Sequence, residues 1–394
     1  MISVDEALTI LAEYPLTVDT EILPFESALG RISAEAIRAD RDFPAYNRVA
    51  MDGIAINSKR FAQGQRIYKV EKTIPAGTPS YQLKDGSACV EIMTGAVLSE
   101  GCDTVIPYEE IDIENHHVTI RGDIQPGQNV HHQGADRKAG DLIVPEKTLI
   151  SAVDIGIAAT VGKTHLKVYR KPAVCLISTG DELISVDHSP EPHQIRSSNI
   201  YALKAALSGY YGTIEHRHLP DNEEVVKRTI THLLEDFQIL IFVGGSSMGK
   251  FDFLPKSLRA EGIEEHFYKI QQRPGKPFWF GHRDDRFVFS LPGNPVSSYL
   301  CLEKYFKFWL NKSLGLAKLP DSARLTEDYR FKPDLTYFLQ VKLMIEDGVL
   351  LATPLTGGGS GDHANLADVS GFLELPQDRT HFKAGESFNL IRFR

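Results

Sequence analysis

The segment "KIQQRPGKPFWFG" (269–281) sets Lys269, Arg273 and Lys276 around a Pro274-Gly275-Lys276-Pro277 turn, in a chain whose formal net charge is -9. Cations fixed beside a stiff turn suit an oxyanion or a phosphate, because donors that are already in place lose little freedom on binding. A solvated basic hairpin is the plainer explanation, and it is less attractive for a segment wedged between apolar runs. Four further turns carry polar residues or glycine immediately after apolar runs: Thr179-Gly180-Asp181-Glu182, Pro220-Asp221, "GGSSMGKFD" (244–252) and "LPGNP" (291–295). Asp221 with Glu224 is a competent helix N-cap, which taken singly is its better reading. Glu182 reads as a first-turn acid favoured by a helix dipole. Gly244, Gly245 and Gly249 form a loop whose N–H groups can cradle an anion, but no Walker Gly-Lys-Ser/Thr follows, so an ATPase-type phosphate loop is unsupported. Elsewhere Asp52 before Gly53, Thr94 before Gly95, and Asp136 in "QGADRKAGD" are explained as well by β-turns and loops as by function.

The elements that must position these residues differ along the chain. Residues 172–316 alternate near-continuous apolar runs ("AVCLIST", "ILIFVGG", "RFVFSLPGNP") with amphipathic, helix-like stretches, which predicts a doubly wound, mostly parallel α/β sheet. Ligands of such sheets bind beyond the carboxyl ends of the strands, where the four turns fall. Residues 43–145 hold short apolar alternations between Gly, Pro, Asn and Asp, as a β-rich domain does. Residues 1–42 and 146–171 flank that insertion. Ser3 and Glu6 form a capping box for a first helix, "PFESALGRISAEAI" predicts another helix leading into a strand or linker, and "ISAVDIGIAATVGKTHLKVYRKP" predicts a helix, a Gly stop and a strand. Residues 317–394 contain a hairpin turning at Asp347-Gly348 within a C-terminal β domain. The stretch "TGGGSGD" (356–362) is of low complexity.

In the "LPGNP" segment, Pro292 ends a strand, Gly293 permits a tight turn, and Pro295 suits the first turn of a helix, where a missing N–H costs little. Such an elbow is a rigid pocket floor that aims nearby N–H groups at a ligand.

Composition narrows the partners. The chain has 394 residues, 42% hydrophobic and 24% charged, and a pI near 5.9, so nucleic acid and anionic membrane are not expected as main partners. The first residues lack a signal peptide's basic and apolar regions, and no run approaches membrane-span length. Four scattered cysteines without Cys-x-x-Cys fit a reduced, cytoplasmic protein. The pairs His116/His117, His131/His132 and His216/His218 are not expected to be metal ligands, since neighbours in a strand or loop point apart.

Taken in order, "MDG", "MTGA", "STGDEL", "GGSSMGKFD", "RPGKPFWFG" and "LPGNPVSS" resemble the molybdopterin molybdenumtransferase family, which includes bacterial MoeA proteins and the carboxy-terminal domain of gephyrin. The likeness spans essentially the whole chain. It implies an elongated, multidomain subunit with a doubly wound molybdopterin-binding domain, an inserted β-rich domain and a C-terminal β-barrel-like domain. It also implies a homodimer whose active site lies where the α/β domain of one subunit faces the inserted domain of the other. The implied activity is insertion of molybdate-derived molybdenum into adenylylated molybdopterin with release of AMP. Transient contact with the molybdopterin adenylyltransferase is a further expectation.

By position, Asp52, Glu182, Asp221, Asp252 and Lys269 match catalytic residues. Thr94, Asp136, Gly244, Gly245, Arg273, Lys276, Pro292 and Pro295 are expected to bind substrate. Asp52, Asp136 and Glu182 are the expected metal neighbourhood, with Mg²⁺ preferred because hard carboxylate oxygens suit it. Arg273 stands where many members have lysine, "NRVAMDG" departs from the commoner Ser-Ala-Met-Asp-Gly, and Lys250 replaces a residue that is often acidic. A molybdopterin adenylyltransferase and a gephyrin-like scaffold are the alternatives. The extra domains argue against the first, and the lack of a second α/β copy argues against tandem valency in the second.

Overall fold

In the computed structural model, which describes residues 1–209, 214–244, 254–316, 320–355 and 359–394, the apolar runs of the α/β segment form a six-stranded sheet. Its strands are β1 (Val174–Thr179), β2 (Ile214–Leu219), β3 (Ile239–Val243), β4 (Glu264–Lys269), β5 (Pro277–Arg283) and β6 (Arg286–Leu291). The order is β2-β1-β3-β6-β5-β4. The first four are parallel, while β5 and β4 add an antiparallel edge. Every residue of β3 is buried, because helices cover both faces and leave no position for a polar side chain. Leu176 and Ile241 face one core with helix Asn199–Leu207; Cys175 and Leu240 face the other with helix Glu223–Asp236.

The first helix, Val4–Glu13, carries the expected Ser3/Glu6 capping box. It buries Val4, Ala7 and Leu11 in the α/β core beside Trp309, whose indole N–H donates to the Tyr14 carbonyl at 2.7 Å. The second expected helix reduces to a single 3₁₀ turn, Phe25–Ala28. Gly30 adopts φ +71° and the Ser33 hydroxyl bonds the Glu35 backbone, so local bonding and a left-handed glycine stop the turn. The chain then runs extended, with Ile37–Arg38 against Leu142–Val144. Thr20–Pro24 pairs with His165–Tyr169, which follows helix Ala152–Thr160 and Gly162 at φ +73°.

The inserted segment forms a second six-stranded sheet in which Gly53–Ile56 lies between Thr104–Pro107 and Cys89–Ile92. A Cβ on Gly53 would lie 1.9 Å from the Ile106 carbonyl oxygen. Glycine here permits close approach of two backbones rather than a turn. Gly53→Ala is therefore expected to destabilise this domain by about 3 kcal/mol, the upper range for overpacking, read as a lowered first transition on thermal or urea unfolding.

The C-terminal segment closes a five-stranded barrel, with Gly371–Leu375 pairing back onto Thr336–Glu346. Its hairpin turns at Asp347 (φ +49°) and Gly348 (φ +76°), as a two-residue turn with both φ positive requires. The short strand Gln272–Arg273 joins this barrel in parallel beside Thr336 and Tyr337. That pairing brings the C-terminal barrel against the cationic turn.

Candidate functional site

A cleft of about 1450 Å³ opens at the carboxyl ends of β1, β3 and β6, walled by the cationic turn on one side and the C-terminal barrel on another. It gathers Glu182, Asp221, Gly244, Arg273, Lys276, Pro292 and Pro295 from segments up to 113 residues apart. The cleft thus sets carboxylates and cations in one chamber, with Arg196 and Asp362 also on its lining.

The local folding explains how each arrives. After β1 the chain turns through Gly180 at φ +126°, where a Cβ would lie 2.4 Å from a Glu182 carboxylate oxygen. Glu182 folds back over the glycine, in a turn ahead of the short strand Leu183–Ile184 rather than in a helix. The first-turn reading of Glu182 is thereby corrected. The capping reading of Asp221 is corrected too: the N-cap of helix Glu223–Asp236 is Asn222, whose Oδ1 accepts from the Val225 N–H at 3.1 Å. Asp221 donates its backbone N–H to Asp181 Oδ1 at 3.1 Å, tying the turns after β1 and β2 together. Its carboxylate is left at the cleft. Gly244 has φ +93°, and its N–H is committed to the Leu291 carbonyl at 3.2 Å. Gly245, Asp252 and the rest of the expected glycine loop lie outside the described residues.

The cationic turn rests on a buried polar side chain. Gln272, 1% exposed, donates Nε2–H to the Pro274 carbonyl at 3.0 Å and the Gly275 carbonyl at 3.1 Å, and its Oε1 accepts from the Tyr305 hydroxyl. Burial pushes the Tyr305 phenol well above its ordinary pKa, which keeps it a donor. Gly275 takes φ +86°, and a Cβ there would lie 2.8 Å from both Cys301 Sγ and Gln272 Nε2. Arg273 and Lys276 line the cleft; Lys269 does not. It ends β4 opposite Pro277, with its ammonium 5.2 Å from the Tyr268 ring centroid.

The proline elbow follows the mechanical expectation. Pro292 is buried just beyond β6, and Pro295 opens helix Pro295–Cys301. Asn294 occupies the cap position without capping; its Nδ2 donates to Ser360 Oγ at 3.0 Å. Asn199 Nδ2 donates to the Gly293 carbonyl at 2.6 Å. The Val296 N–H is taken by the Ser360 carbonyl at 3.3 Å. The elbow is thus held by the helix Asn199–Leu207 and by the C-terminal domain, and not all its N–H groups face the cleft.

Asp52, Thr94 and Asp136 stand apart, in the inserted domain and outside the lining of their own chain's cleft. Asp52 Oδ1 accepts from the Thr94 N–H at 2.6 Å and from its hydroxyl at 2.7 Å. These two bonds hold its carboxyl below the usual carboxylate range. The contact joins residues 42 positions apart, so it is tertiary and not a local Asx turn. Asp136 Oδ1 lies 3.0 Å from His131 Nε2, and His131 Nδ1 lies 3.1 Å from Arg48 Nη2. Since arginine only donates, Nδ1 is the acceptor and Nε2–H points at Asp136.

Several lining residues carried no clear sequence signal. Tyr337 comes from the barrel strand Thr336–Glu346, Tyr329 from the short strand Tyr329–Arg330 that pairs with His381–Phe382, and Ser178 from within β1. The low-complexity stretch before residue 363 does reach the rim through Gly359–Asp362, so its glycine content was a usable hint. Among the described residues no three His, Cys, Asp or Glu side chains are gathered for a metal ion. The oxygen donors of Asp52, Asp136 and Glu182 have the hardness that Mg²⁺ needs, but one chain does not assemble them into a site.

Comparison with known proteins covers the chain in three consecutive parts. Residues 2–162 match the MoeA N-terminal region (domain I and II), residues 175–312 a probable molybdopterin binding domain, and residues 322–393 the MoeA C-terminal region (domain IV). A molybdopterin molybdenumtransferase of Synechocystis sp. is 42% identical, over 98% of this chain and 99% of that protein. One from Bacillus subtilis is 31% identical, over 100% of this chain and 94% of its own length. The crystal structure of a molybdopterin biosynthesis MoeA protein from Pyrococcus horikosii superposes with a TM-score of 0.85 at 27% identity, covering 100% of this chain and 99% of that one.

Proposed function

From the premise that this chain belongs to the MoeA family, we infer that it is a molybdopterin molybdenumtransferase, which inserts molybdate-derived molybdenum into adenylylated molybdopterin and releases AMP. The observation that carries this reading is the cleft at the strand ends, where Arg273 and Lys276 share the lining with Glu182 and Asp221. Both substrates are polyanions, and fixed cations in a partly dried cleft stabilise the charge that builds on phosphate oxygens as AMP departs. Carboxylates are acceptors only, so Glu182 and Asp221 suit the N–H edge of a pterin or a water to be aimed at the phosphoanhydride. Pro292 and Pro295 keep the floor in place; they position rather than react.

Asp52, Thr94 and Asp136 complete the site in this reading from a second copy of the chain. They are exposed, held by hydrogen bonds, and serve no buried structural purpose in their own subunit. A homodimer in which each inserted domain covers the other's cleft uses them. The diphosphate substrate brings hard oxygens of its own, and Mg²⁺ is the metal that Asp52, Asp136 and Glu182 would share with it. The free cysteines Cys89, Cys175 and Cys301, all buried, are in keeping with a reducing, cytoplasmic setting. Transient docking with an adenylyltransferase would deliver the adenylylated pterin.

Incubation of the purified chain with adenylylated molybdopterin, Mg²⁺ and either molybdate or tungstate, following AMP and metal incorporation, tests the assignment. AMP release that depends on the oxyanion is the expected result. Formation of adenylylated pterin from ATP would point instead to the adenylyltransferase reaction, and dimerisation with peptide binding but no AMP release to a scaffold.

A further inference from the structure

The histidine pair at 216 and 218 was expected to point apart. Residues two apart in a strand share a face, and both rings turn to the same atom: Ser178 Oγ lies 3.1 Å from His216 Nε2 and 3.1 Å from His218 Nδ1. Ser178 is 1% exposed and lines the cleft. It sits opposite His218 in the parallel register of β1 and β2. Being on the edge strand β2, the exposed His218 has access to solvent, whereas His216 is half-buried. A continuous chain of polar atoms therefore runs from the cleft wall to the outside.

We propose that Ser178, His216 and His218 form a proton relay between the cleft and solvent, with Ser178 as the residue that faces the substrate. A serine hydroxyl has one proton and two acceptor positions. When both histidines donate N–H, from Nε2 of His216 and Nδ1 of His218, the Ser178 oxygen is saturated as an acceptor and its own O–H points into the cleft. Should His216 present a lone pair instead, that O–H turns away from the substrate. His216 is kept neutral by its burial, with His218, Lys204 of the overlying helix and Arg217 of its own strand adding like charge. Glu215 is occupied with Arg217 in an ion pair.

The relay rests on the transferase reading, because a pterin held as its dithiolate beside Arg273 and Lys276 brings no thiol protons, and the oxygen that leaves molybdate must then take up two. An oxo group leaves molybdate as water: an Mo–O bond breaks, Mo–S bonds form, two protons end on the departing oxygen, and no electrons change hands. Protons not carried in by the dithiol must come from the protein. Ser178 gives its proton to the departing oxygen and takes the Nδ1 proton of His218, as Nε2 of His218 takes one from solvent.

Ser178→Ala is expected to lower kcat for AMP release about 100-fold, the lower end of the usual range for loss of a positioned proton donor, with the KM for adenylylated molybdopterin within about twofold. His218→Gln keeps a hydrogen-bonding side chain that cannot pass a proton on, and is expected to lower kcat to a similar extent, with a pH–rate profile that no longer matches wild type. Added imidazole restores activity to His218→Ala. Wild-type kcat in Ser178→Ala, or a His218→Gln profile that superposes on wild type, overturns the proposal. Should either variant misfold, ¹⁵N spectra of the wild-type histidines decide it: an Nε2–H tautomer at His216 supports the relay and a lone pair there overturns it. Oxyanion-dependent AMP release by the wild-type chain in the same assay tests the transferase reading separately.

Discussion

Asp52→Ala and Asp221→Ala, each expected to lose at least ~100-fold in molybdate-dependent AMP release, regain about a quarter of wild-type turnover when mixed and allowed to exchange subunits. The figure follows from random pairing in a twofold dimer, in which half the dimers are mixed and each of these holds one intact site of two. The fold separates the two residues. Asp221 lies at the cleft after β2, and Asp52 lies in the inserted domain, outside the cleft of its own chain. Neither substitution should unfold the protein, since both side chains are exposed and neither caps a helix. Asp52 in particular is an organised charge: two bonds from Thr94 fix one oxygen and leave the other outward. If the mixture is no more active than its components although exchange is complete, the shared site is wrong.

Gln272→Leu is expected to cost about 3 kcal/mol of stability and to raise the KM for molybdate by at least tenfold. The leucine fills the space but leaves the Tyr305 hydroxyl and the Pro274 and Gly275 carbonyls without their partner, in a place where water does not reach. Each buried polar group so stranded costs about 1–3 kcal/mol. The same bonds hold the turn that carries Arg273 and Lys276, so their loss displaces the cations, and small displacements are costly where fixed charge does the binding. Tyr305→Phe removes one partner only and should cost less. The double variant should be less unstable than the sum of the two, because the residues act as one network. A Gln272→Leu protein with unchanged KM would show that the turn holds itself.

The α/β sheet was legible because buried parallel strands are written as unbroken apolar runs, and β1, β3 and β6 are such runs. The Asp347-Gly348 hairpin was legible for a similarly local reason. The second N-terminal helix was misread, since the apolar spacing of "PFESALGRISAEAI" is also met by an extended chain stopped at Gly30 and bonded through Ser33. Asp221 was misread as a cap because its neighbour Asn222 offers the same chemistry one residue on, and only the backbone decides which of two adjacent acceptors stands at the helix end. Gln272 showed nothing in sequence: one polar residue in a basic turn looks solvated until Tyr305, 33 positions away, is seen against it.

Sequence alone settled the kind of sheet, the presence of cations and carboxylates at strand ends, and the family. Tertiary structure decided which of those residues share a chamber. It placed Glu182, Asp221, Arg273 and Lys276 together, left Asp52, Thr94 and Asp136 outside, and turned His216 and His218 onto Ser178. The physical reason is one of range. Strand and helix patterns arise from neighbours a few residues apart, whereas a site depends on side-chain directions and strand register set by packing across the whole core.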